Sequence, residues 1–278
     1  MSARATEQRL TVADGELVLR VSVASDRGTV RAVNEDAVLA EAPVFAVADG
    51  MGGHALGDRA SAAAVAALRA VLPADRPATT SEVREAVRRA NADVRRVGGQ
   101  SMAGTTLAAV VLVDPAAWMV VHVGDSRVYG WDGRVLHRLT SDHSLVQELQ
   151  DAGIIDAEQA QRHPDRNVVT RALGPHDTAL PDVRVLDLRL PGDEPALLLC
   201  SDGLTRELDD AAIAGMLADG ADAHDLVEAA VRAGGHDNVS AVIVRPEFAG
   251  LAEPPVDEQT LDRMLGTELE DTRPRRHS

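Results

Sequence analysis

The sequence predicts an α+β fold in which pairs of helices cover antiparallel sheets. Short β-prone runs between residues 105 and 139 are separated by Asp-Pro, Gly-Asp and Asp-Gly turns, which is typical of an antiparallel meander. Helical segments come in pairs, one before this meander and one after further strands. Because helices and strands do not alternate one by one, this order favours helix-covered antiparallel sheets over parallel βαβ units.

The region before the meander contains two predicted strands and the first helix pair. Residues 16–24 alternate loosely between apolar and polar, which predicts a strand. A second strand at 44–48 runs into the stretch 49–54, which is too rich in glycine to continue as regular structure. Helices are predicted at 56–72, which is rich in alanine, and at 81–97, where apolar residues recur at helical spacing.

The rest of the chain completes this order. Residues 144–181 are polar and rich in turn formers in their second half, which predicts an insertion over the sheet. The segment 251–278 is highly charged and is predicted to be a solvated tail with one short helix. The other predicted elements are strands at 105–113, 118–123, 127–131, 135–139, 183–190, 196–200 and 239–244, and helices at 209–219 and 223–233.

Composition excludes several classes of protein. All 28 basic residues are arginine, so sites that need a lysine, such as a P-loop or a Schiff base, are ruled out. The single cysteine, Cys200, excludes an internal disulfide and clustered-cysteine metal sites, and it fits a reducing, cytoplasmic setting. The formal charge of -16 argues against a nucleic-acid partner.

Length and apolar content predict one large domain without a membrane segment. A chain of 278 residues can form a single layered unit. Aromatic residues make up only 2 %, so the core must be built from Val, Leu, Ile and Ala. No apolar stretch approaches about 18 residues, and the start of the chain is polar, so neither a membrane span nor a signal peptide is predicted.

Several acidic residues stand beside Gly, Asn or Ser where predicted strands end or turn. Acids that end different strands can meet at one edge of a sheet. A few carboxylates and a carbonyl suffice to hold Mg²⁺ or Mn²⁺, and carboxylates crowded together without cations would take up protons. Two ions about 3.5 to 4 Å apart can hold a hydroxide that attacks phosphorus. The acids are Glu35, Asp36, Asp49, Asp125, Asp202 and Asp237.

Each of these acids, taken alone, is more typical of a turn than of a metal ligand. Together, however, the acids lie within eight segments of the chain. In order and spacing, these segments resemble the motifs of bacterial metal-dependent protein serine/threonine phosphatases of the 2C type (the PPM family). The resemblance extends from about residue 18 to 246. The segments are Arg31–Asp36, Asp49–His54 with Gly57, Gly104–Thr106, Val123–Tyr129, Leu139–Ser144, Val169–Gly174, Cys200–Leu204 and Asp237–Val239.

The resemblance implies a fold and a domain plan. The fold would be a four-layer αββα sandwich, with two central antiparallel β-sheets flanked by helix pairs and the metals at one end. The catalytic domain would span 18–247, after an N-terminal extension at 1–17 and before a polar tail at 248–278. Residues 145–181 would form the flap segment that borders the substrate groove.

The resemblance also implies the ligands of two core ions, which would be Mn²⁺ or Mg²⁺. Asp49 would bridge both ions. Asp202 and Asp237 would bind the first ion, and the carbonyl of Gly50 would bind the second.

The resemblance also implies roles for three further acids. Asp125, together with Asp202, would hold a third, weaker ion. Glu35 and Asp36 would bind an ion directly or hold its waters. Asp142 and His143, although they stand in one of the segments, are assigned to the shape of a loop and not to the metal set.

Two residues are implied in catalysis. Arg31 would bind the substrate phosphate, because a guanidinium fork matches two phosphoryl oxygens. His54 would be the general acid that protonates the leaving alkoxide. Thr105 and Thr106 open a strand, and packing is favoured over catalysis for both.

Three alternatives use the same residues differently. Cys200 and Arg206 have the Cys-x5-Arg spacing of phosphatases that attack with a thiolate, but Asp202 would put a negative charge into their phosphate loop. A non-catalytic regulator on the same scaffold would have lost metal acids or Arg31, and none is missing. Serine-hydrolase chemistry at Ser126 lacks the second glycine of a nucleophile elbow.

The sequence therefore predicts a cytoplasmic, Mn²⁺- or Mg²⁺-dependent phosphatase. It would hydrolyse phosphoserine and phosphothreonine in proteins with a metal-activated water and without a phosphoenzyme. The implied partners are Ser/Thr kinases and the proteins that they phosphorylate.

Overall fold

Two antiparallel sheets form the centre of the molecule. The computed structural model of the chain describes residues 5–12, 15–52, 56–99, 103–114, 117–176, 181–187 and 189–249. The strands in these ranges are β1 (Ala5–Val12), β2 (Gly15–Asp26), β3 (Asp36–Glu41), β4 (Val44–Met51), β5 (Gly104–Thr105), β6 (Leu107–Val113), β7 (Ala117–Val123), β8 (Arg127–Trp131), β9 (Leu136–Arg138), β10 (Asp182–Asp187), β11 (Ala196–Cys200) and β12 (Val239–Ala249).

Helices occur in three groups along the same ranges. They are α1 (Gly57–Val71), α2 (Thr80–Gly98), α3 (Leu145–Asp151), α4 (Ala157–Arg162), α5 (Asp202–Glu207), α6 (Asp210–Ala218) and α7 (Ala223–Ala233). The long helix α2 begins with a capping box, in which Thr79 and Glu82 satisfy each other's backbone N–H groups. Asp222 and Asp225 form the same arrangement at the start of α7.

The strands are divided between the two sheets in a way that brings distant segments together. The first sheet has the order β1-β2-β12-β11-β8-β9, and the second has the order β10-β7-β6-β4-β3, with β5 paired to β4. Each named strand pair is antiparallel, so the predicted meander is confirmed. Strand β12 lies beside β2 although more than 200 residues separate them.

Three apolar cores separate four layers. The inter-sheet core contains Phe45, Trp118 and Leu197. Helices α1 and α2 cover the outer face of the second sheet, and α6 and α7 cover the outer face of the first. The predicted αββα sandwich is confirmed.

Strand β6 shows why the central strands are apolar on both faces. Val110 and Leu112 point into the inter-sheet core, whereas Ala109 and Val111 point toward α1 and α2. Side chains alternate along a strand, so a strand that is covered on both faces must be apolar at every position. All seven residues of β6 are buried.

The N-terminal segment is part of the first sheet. Strand β1 pairs with β2 along its whole length, and Leu10 and Val12 are buried in the inter-sheet core. Gln8 reaches the other sheet, where its side chain donates to the carbonyl of Ala40 and accepts from the N–H of Ala42. The sequence plan sets 1–17 apart as an extension, but the folded unit includes Ala5–Val12.

Two other elements differ from the expectation. Strand β10 ends at Asp187 and not at 190, and β12 continues to Ala249. The short elements β3 and α5, which both carry acids of interest, were not predicted. The predicted tail at 251–278 lies outside the described residues. None of the helices in the described part of the chain has the length and apolar composition needed to cross a bilayer.

Candidate active site

Asp36 and Asp49 lie side by side in the second sheet. The antiparallel register of β3 and β4 pairs them directly. Residues paired in this way project from the same face, so their side chains are neighbours. Ser201, which follows β11 in the first sheet, donates its hydroxyl to Asp36 Oδ2 at 2.8 Å. The two sheets therefore meet at these carboxylates.

Asp202 and Asp237 come from neighbouring strands of the first sheet. Asp202 begins α5 just after β11, and Asp237 stands just before β12. Because β11 and β12 are antiparallel partners, the end of one lies beside the start of the other. A Cβ on Gly203 would lie 2.0 Å from the carbonyl oxygen of Asn238, so this close approach requires glycine.

Asn238 holds the loop that carries Arg31. Its Oδ1 accepts the backbone N–H of Glu35 at 2.8 Å. Its Nδ2 donates to the carbonyl oxygens of Arg27 and Val33 at 2.9 and 3.0 Å. One buried amide side chain thus fixes the 27–35 loop against the start of β12.

The backbone of Gly50 packs closely against the main chain of Glu35 and of Gly57. Its N–H donates to the carbonyl of Glu35 at 3.1 Å. A Cβ at this position would lie 2.0 Å from the carbonyl oxygen of Gly57. The carboxylate of Glu35 also lies against Gly57, where a Cβ would be 2.5 Å from its Oε1. Glycine at both positions allows Glu35 to approach the end of β4.

Thr105 and Thr106 fix the main chain of Asp49. The hydroxyl of Thr105 donates to the Asp49 carbonyl at 2.9 Å, and the Asp49 N–H donates to Thr106 Oγ1 at 2.9 Å. Thr106 Oγ1 also shares a hydrogen bond of 2.7 Å with Ser126. Both threonines are fully buried, as expected for packing, and their hydroxyls additionally connect Asp49 to the loop of Asp125.

Asp125 stands on a tightly held turn. Gly124 has a φ of +108°, and a Cβ there would lie 2.6 Å from Thr106 Cγ2, so glycine is required. His143 makes two hydrogen bonds to this turn. Its backbone N–H donates to the Gly124 carbonyl, and its Nδ1 accepts the Gly124 N–H. Asp125 itself is 8 % exposed.

The acid cluster consists of five aspartates, of which the first four have raised pKa values: Asp36, Asp49, Asp125, Asp202 and Asp237. Burial raises the pKa of Asp36 and of Asp202 to about 7 each, and it raises the pKa of Asp125 to about 6. Burial, followed by repulsion from Asp36 and Asp202, raises the pKa of Asp49 well above its usual range. The protein alone does not fully stabilise these carboxylates as anions.

Two oxygens of the acid cluster are left without hydrogen bonds. Asp36 Oδ1 and Asp202 Oδ1 are buried and have no partner among the described residues. An unpaired buried carboxylate oxygen is costly unless a cation binds it. Since the donor set consists of carboxylates and a glycine carbonyl, it fits a hard divalent cation such as Mg²⁺ or Mn²⁺.

Two guanidinium groups contact the acid cluster. Arg31 donates from Nη2 to Asp237 Oδ2 at 2.7 Å. Arg206 donates from Nη1 to the same oxygen at 3.0 Å, and its Nη2 also pairs with Asp202. The sequence indicated Arg31, but it did not indicate this role for Arg206, although the separation of four residues from Asp202 is typical of a helical ion pair.

A different ion pair joins Arg127, two residues after Asp125, to Asp142. Arg127 holds Asp142 in a fork, with its Nε 3.0 Å and its Nη2 2.7 Å from the carboxylate. Its Nη1 donates to the hydroxyl of Tyr129 at 3.1 Å, and Tyr129 donates to Asp210 at 2.9 Å. These four residues form the Arg127 network.

Two histidines and an aspartate form another group of possible metal ligands. The ligand atoms of His122, His143 and Asp182 lie within 4.8 Å of one another. His143 Nδ1 accepts the N–H of Gly124, so the ring proton is on Nε2, which faces Asp182 at 3.0 Å. A metal at Nε2 would require a proton on Nδ1, where the Gly124 N–H already points. This group therefore fits a hydrogen-bonded support better than a metal site.

Three other residues were candidates for catalysis from the sequence: His54, Cys200 and Ser126. His54 lies outside the described residues. Cys200 is fully buried in β11, and burial raises the pKa of its thiol to about 12, so it is a poor nucleophile. Ser126 is fully buried and bonded to Thr106, which leaves no path to a substrate.

The described part of segment 145–181, the predicted flap, is hydrogen-bonded to this end of the sandwich. It contains α3 and α4, and its base is fixed where the N–H of Thr170 donates to the carbonyl of His143 at 2.8 Å. Ile154 and Val168 in this segment are exposed.

Comparison with known proteins agrees with the motif resemblance. A family model described as protein phosphatase 2C matches residues 28–244. The serine/threonine protein phosphatase PstP of Mycobacterium tuberculosis is 40% identical over 264 residues, which cover 88% of this chain and 50% of the relative. The chain thus spans about half the length of that protein. The protein phosphatase PhpP of Streptococcus pneumoniae is 35% identical over 242 residues, covering 81% of this chain and 97% of the relative.

A solved structure is similar in fold as well. The crystal structure of the catalytic domain of the serine/threonine protein phosphatase PstP in complex with two manganese ions has a TM-score of 0.72 and 37% sequence identity. The match covers 84% of this chain and all of that chain (100%). The family resemblance is confirmed.

Proposed function

The chain belongs to the protein phosphatase 2C family, and on this premise we propose that it hydrolyses phosphoserine and phosphothreonine in proteins with two Mn²⁺ or Mg²⁺ ions. The observation that carries this proposal is the acid cluster, in which buried carboxylates with raised pKa values face one another. Such a cluster needs cations to stay ionised. When bound, the ions lower the pKa of water and stabilise charge at phosphorus.

Each acid has a proposed part in holding the ions. Asp49 would contact both ions, because it lies beside Asp36 in the sheet register and its main chain is fixed by Thr105 and Thr106. Asp202 and Asp237 would hold one ion, and the Gly50 carbonyl would hold the other. The unpaired oxygen of Asp202 supports its direct role.

The other three acids act around this pair. Asp36 and Glu35 hold a ligand position or the waters of an ion, and Asp36 has an unpaired oxygen suited to that role. Asp125, on its rigid turn, holds a third and weaker ion together with Asp202.

Arg31 and His54 are proposed to act on the substrate. The guanidinium of Arg31 is 47% exposed and stands at the rim of the acid cluster, where it can bind the phosphoryl oxygens. His54 is the proposed general acid for the leaving serine or threonine oxygen. The proposed substrates are Ser/Thr kinases and their targets, and the proposed compartment is the cytoplasm, since the single cysteine suits a reducing environment.

The test is hydrolysis of a phosphothreonine peptide by the purified chain. We expect turnover with Mn²⁺ and its loss on addition of a chelator, followed by recovery when excess Mn²⁺ is restored. Turnover that survives complete chelation would contradict the proposal.

The Cys200→Ser variant separates this chemistry from thiolate attack. We expect its kcat to stay within about twofold of the parent chain, because the buried thiol takes no part in the reaction. A folded but inactive variant would favour the thiolate mechanism instead.

A further inference from the structure

Arg206 occupies a special position in the acid cluster. It lies one turn after Asp202 on α5, so its side chain returns to the start of its own helix. Its guanidinium bridges Asp202 and Asp237, the two carboxylates assigned above to one ion. The two aspartates are 11% and 14% exposed, whereas Arg206 is 34% exposed.

The oxygen of Asp237 that Arg206 contacts also accepts a hydrogen bond from Arg31. Asp237 Oδ2 accepts from Arg31 at 2.7 Å and from Arg206 at 3.0 Å. A carboxylate oxygen that accepts two charged N–H groups has no lone pair left for a cation. Asp237 Oδ1 accepts the N–H of Asn238 at 2.9 Å, so a dication that binds Asp237 through Oδ2 must displace at least one guanidinium.

Arg206 is the guanidinium that has to leave. An arginine side chain cannot lose its charge in a protein, so it cannot stay beside a dication as a neutral group. Its long side chain already reaches solvent and can swing outward. Among the described residues, the one carboxylate that pairs with Arg31 is Asp237, so Arg31 can remain at the rim.

We propose that Arg206 is a built-in counter-ion that competes with one divalent cation for Asp202 and Asp237. In the metal-free chain it neutralises these acids, and on metal binding it is released toward solvent. It therefore lowers the affinity for one of the two ions and supports the metal-free fold. This proposal rests on the proposed function, because it takes these two aspartates as metal ligands.

The test is calorimetric titration of the metal-free full chain with Mn²⁺. For Arg206→Gln we expect the Kd of one ion to fall by about tenfold, the scale of losing one charge-assisted pair, while the other Kd stays within about twofold. Arg206→Lys keeps the charge but not the fork, so its Kd should lie between the two.

Arg232→Gln is the matched control. Arg232 also pairs with an acid four residues earlier on a helix, Glu228, but it lies on α7 and is 63% exposed. This variant removes the same charge from the chain, and we expect both Kd values to be unchanged. A similar gain of affinity in Arg232→Gln would overturn the proposal, because overall charge alone would then explain the effect.

Thermal unfolding gives a second measurement. Without metal, Arg206→Gln should unfold at a lower temperature than the parent chain, and its gain in Tm on addition of Mn²⁺ should be larger. If Arg206→Gln does not fold without metal, Arg206→Lys carries the affinity comparison.

The outcomes are distinguishable. Unchanged Kd values in Arg206→Gln, with normal Mn²⁺ binding by the parent chain, would overturn this proposal alone. A raised KM with unchanged Kd values would also overturn it and would assign Arg206 to substrate binding. No Mn²⁺ binding by the parent chain would overturn the proposed function, and this proposal with it.

Discussion

The Arg127 network and the acid cluster are two groups of charges that are built in opposite ways. In the Arg127 network the carboxylate of Asp142 is held in a fork by Arg127 and also pairs with Arg138, and the hydroxyl of Tyr129 links Arg127 to Asp210. In the acid cluster five carboxylates share two guanidinium groups, and two buried oxygens have no partner among the described residues. A closed group holds a fold together, whereas an open one has room for a ligand.

The same substitution, Asp to Asn, can test this difference at three positions. Asp49 belongs to the acid cluster, and Asp142 belongs to the Arg127 network. Asp219, at the end of α6, is exposed and belongs to neither.

The largest effect is expected for Asp49→Asn. Losing the carboxylate that bridges the proposed ions should lower kcat by about a thousandfold or more. The metal-free variant should be as stable as the parent chain or more stable, because an amide replaces a poorly solvated acid. A peptide assay with Mn²⁺ and a urea melt measure both quantities. Substantial turnover would contradict the assignment of the site.

The next effect is expected for Asp142→Asn, and it concerns stability. Removing the carboxylate from this half-buried, bidentate pair leaves Arg127 and Arg138 poorly compensated and should lower the free energy of unfolding by about 2 kcal/mol. Activity per folded molecule should fall by less than about tenfold. Asp219→Asn should change neither quantity. A loss of activity in Asp142→Asn without a loss of stability would break the distinction between the two groups.

A smaller effect is expected for Arg31→Ala. If Arg31 binds the phosphoryl group, its loss should raise KM by about tenfold with a smaller change in kcat. Arg31→Lys should recover part of the loss, since it keeps the charge without the fork. An unchanged KM in Arg31→Ala would remove its proposed role.

The smallest effect is expected from pH in the metal-free chain. Asp36 and Asp202 have pKa values of about 7 when folded, above the ordinary unfolded value of about 3.9. The folded state therefore holds extra protons, and the stability that they provide is complete below about pH 4 and is lost as pH rises through 7.

Urea melts should thus show a fall of about 1 kcal/mol between pH 6 and pH 8 for each of these two carboxylates. Mn²⁺ should remove this fall, because it binds the deprotonated carboxylates and its affinity rises over the same range. A metal-free chain that becomes more stable toward pH 8 would show that the acids are not poorly solvated.

Much of the fold could be predicted because its central strands are apolar and its helices are amphipathic. Strands β3 and β1 were not predicted. Strand β3 is short and begins and ends with an acid, and β1 exposes polar residues along one face of a sheet edge. Helix α5 has only six residues and starts with Asp202 and Gly203, which look like a turn.

The acids of the site could be named from the sequence, but their surroundings could not. The bridge between Asp36 and Ser201 joins residues 165 positions apart, and only the stacking of the two sheets creates it. The role of Arg206 depends on the turn of α5, and that of Asn238 depends on the path of the 27–35 loop. Such contacts follow from tertiary packing, which local patterns do not encode.

The origin of the acid cluster in two different sheets has a consequence for the interior of the molecule. Asp36 and Asp49 are attached to the second sheet, whereas Asp202 and Asp237 are attached to the first. The thickness of the apolar layer between the sheets therefore acts as a spacer that sets how far apart the opposing carboxylates stand. Larger or smaller side chains at Val47 or Val242, deep in that layer, would change the distances between the opposing carboxylates without contacting any of them.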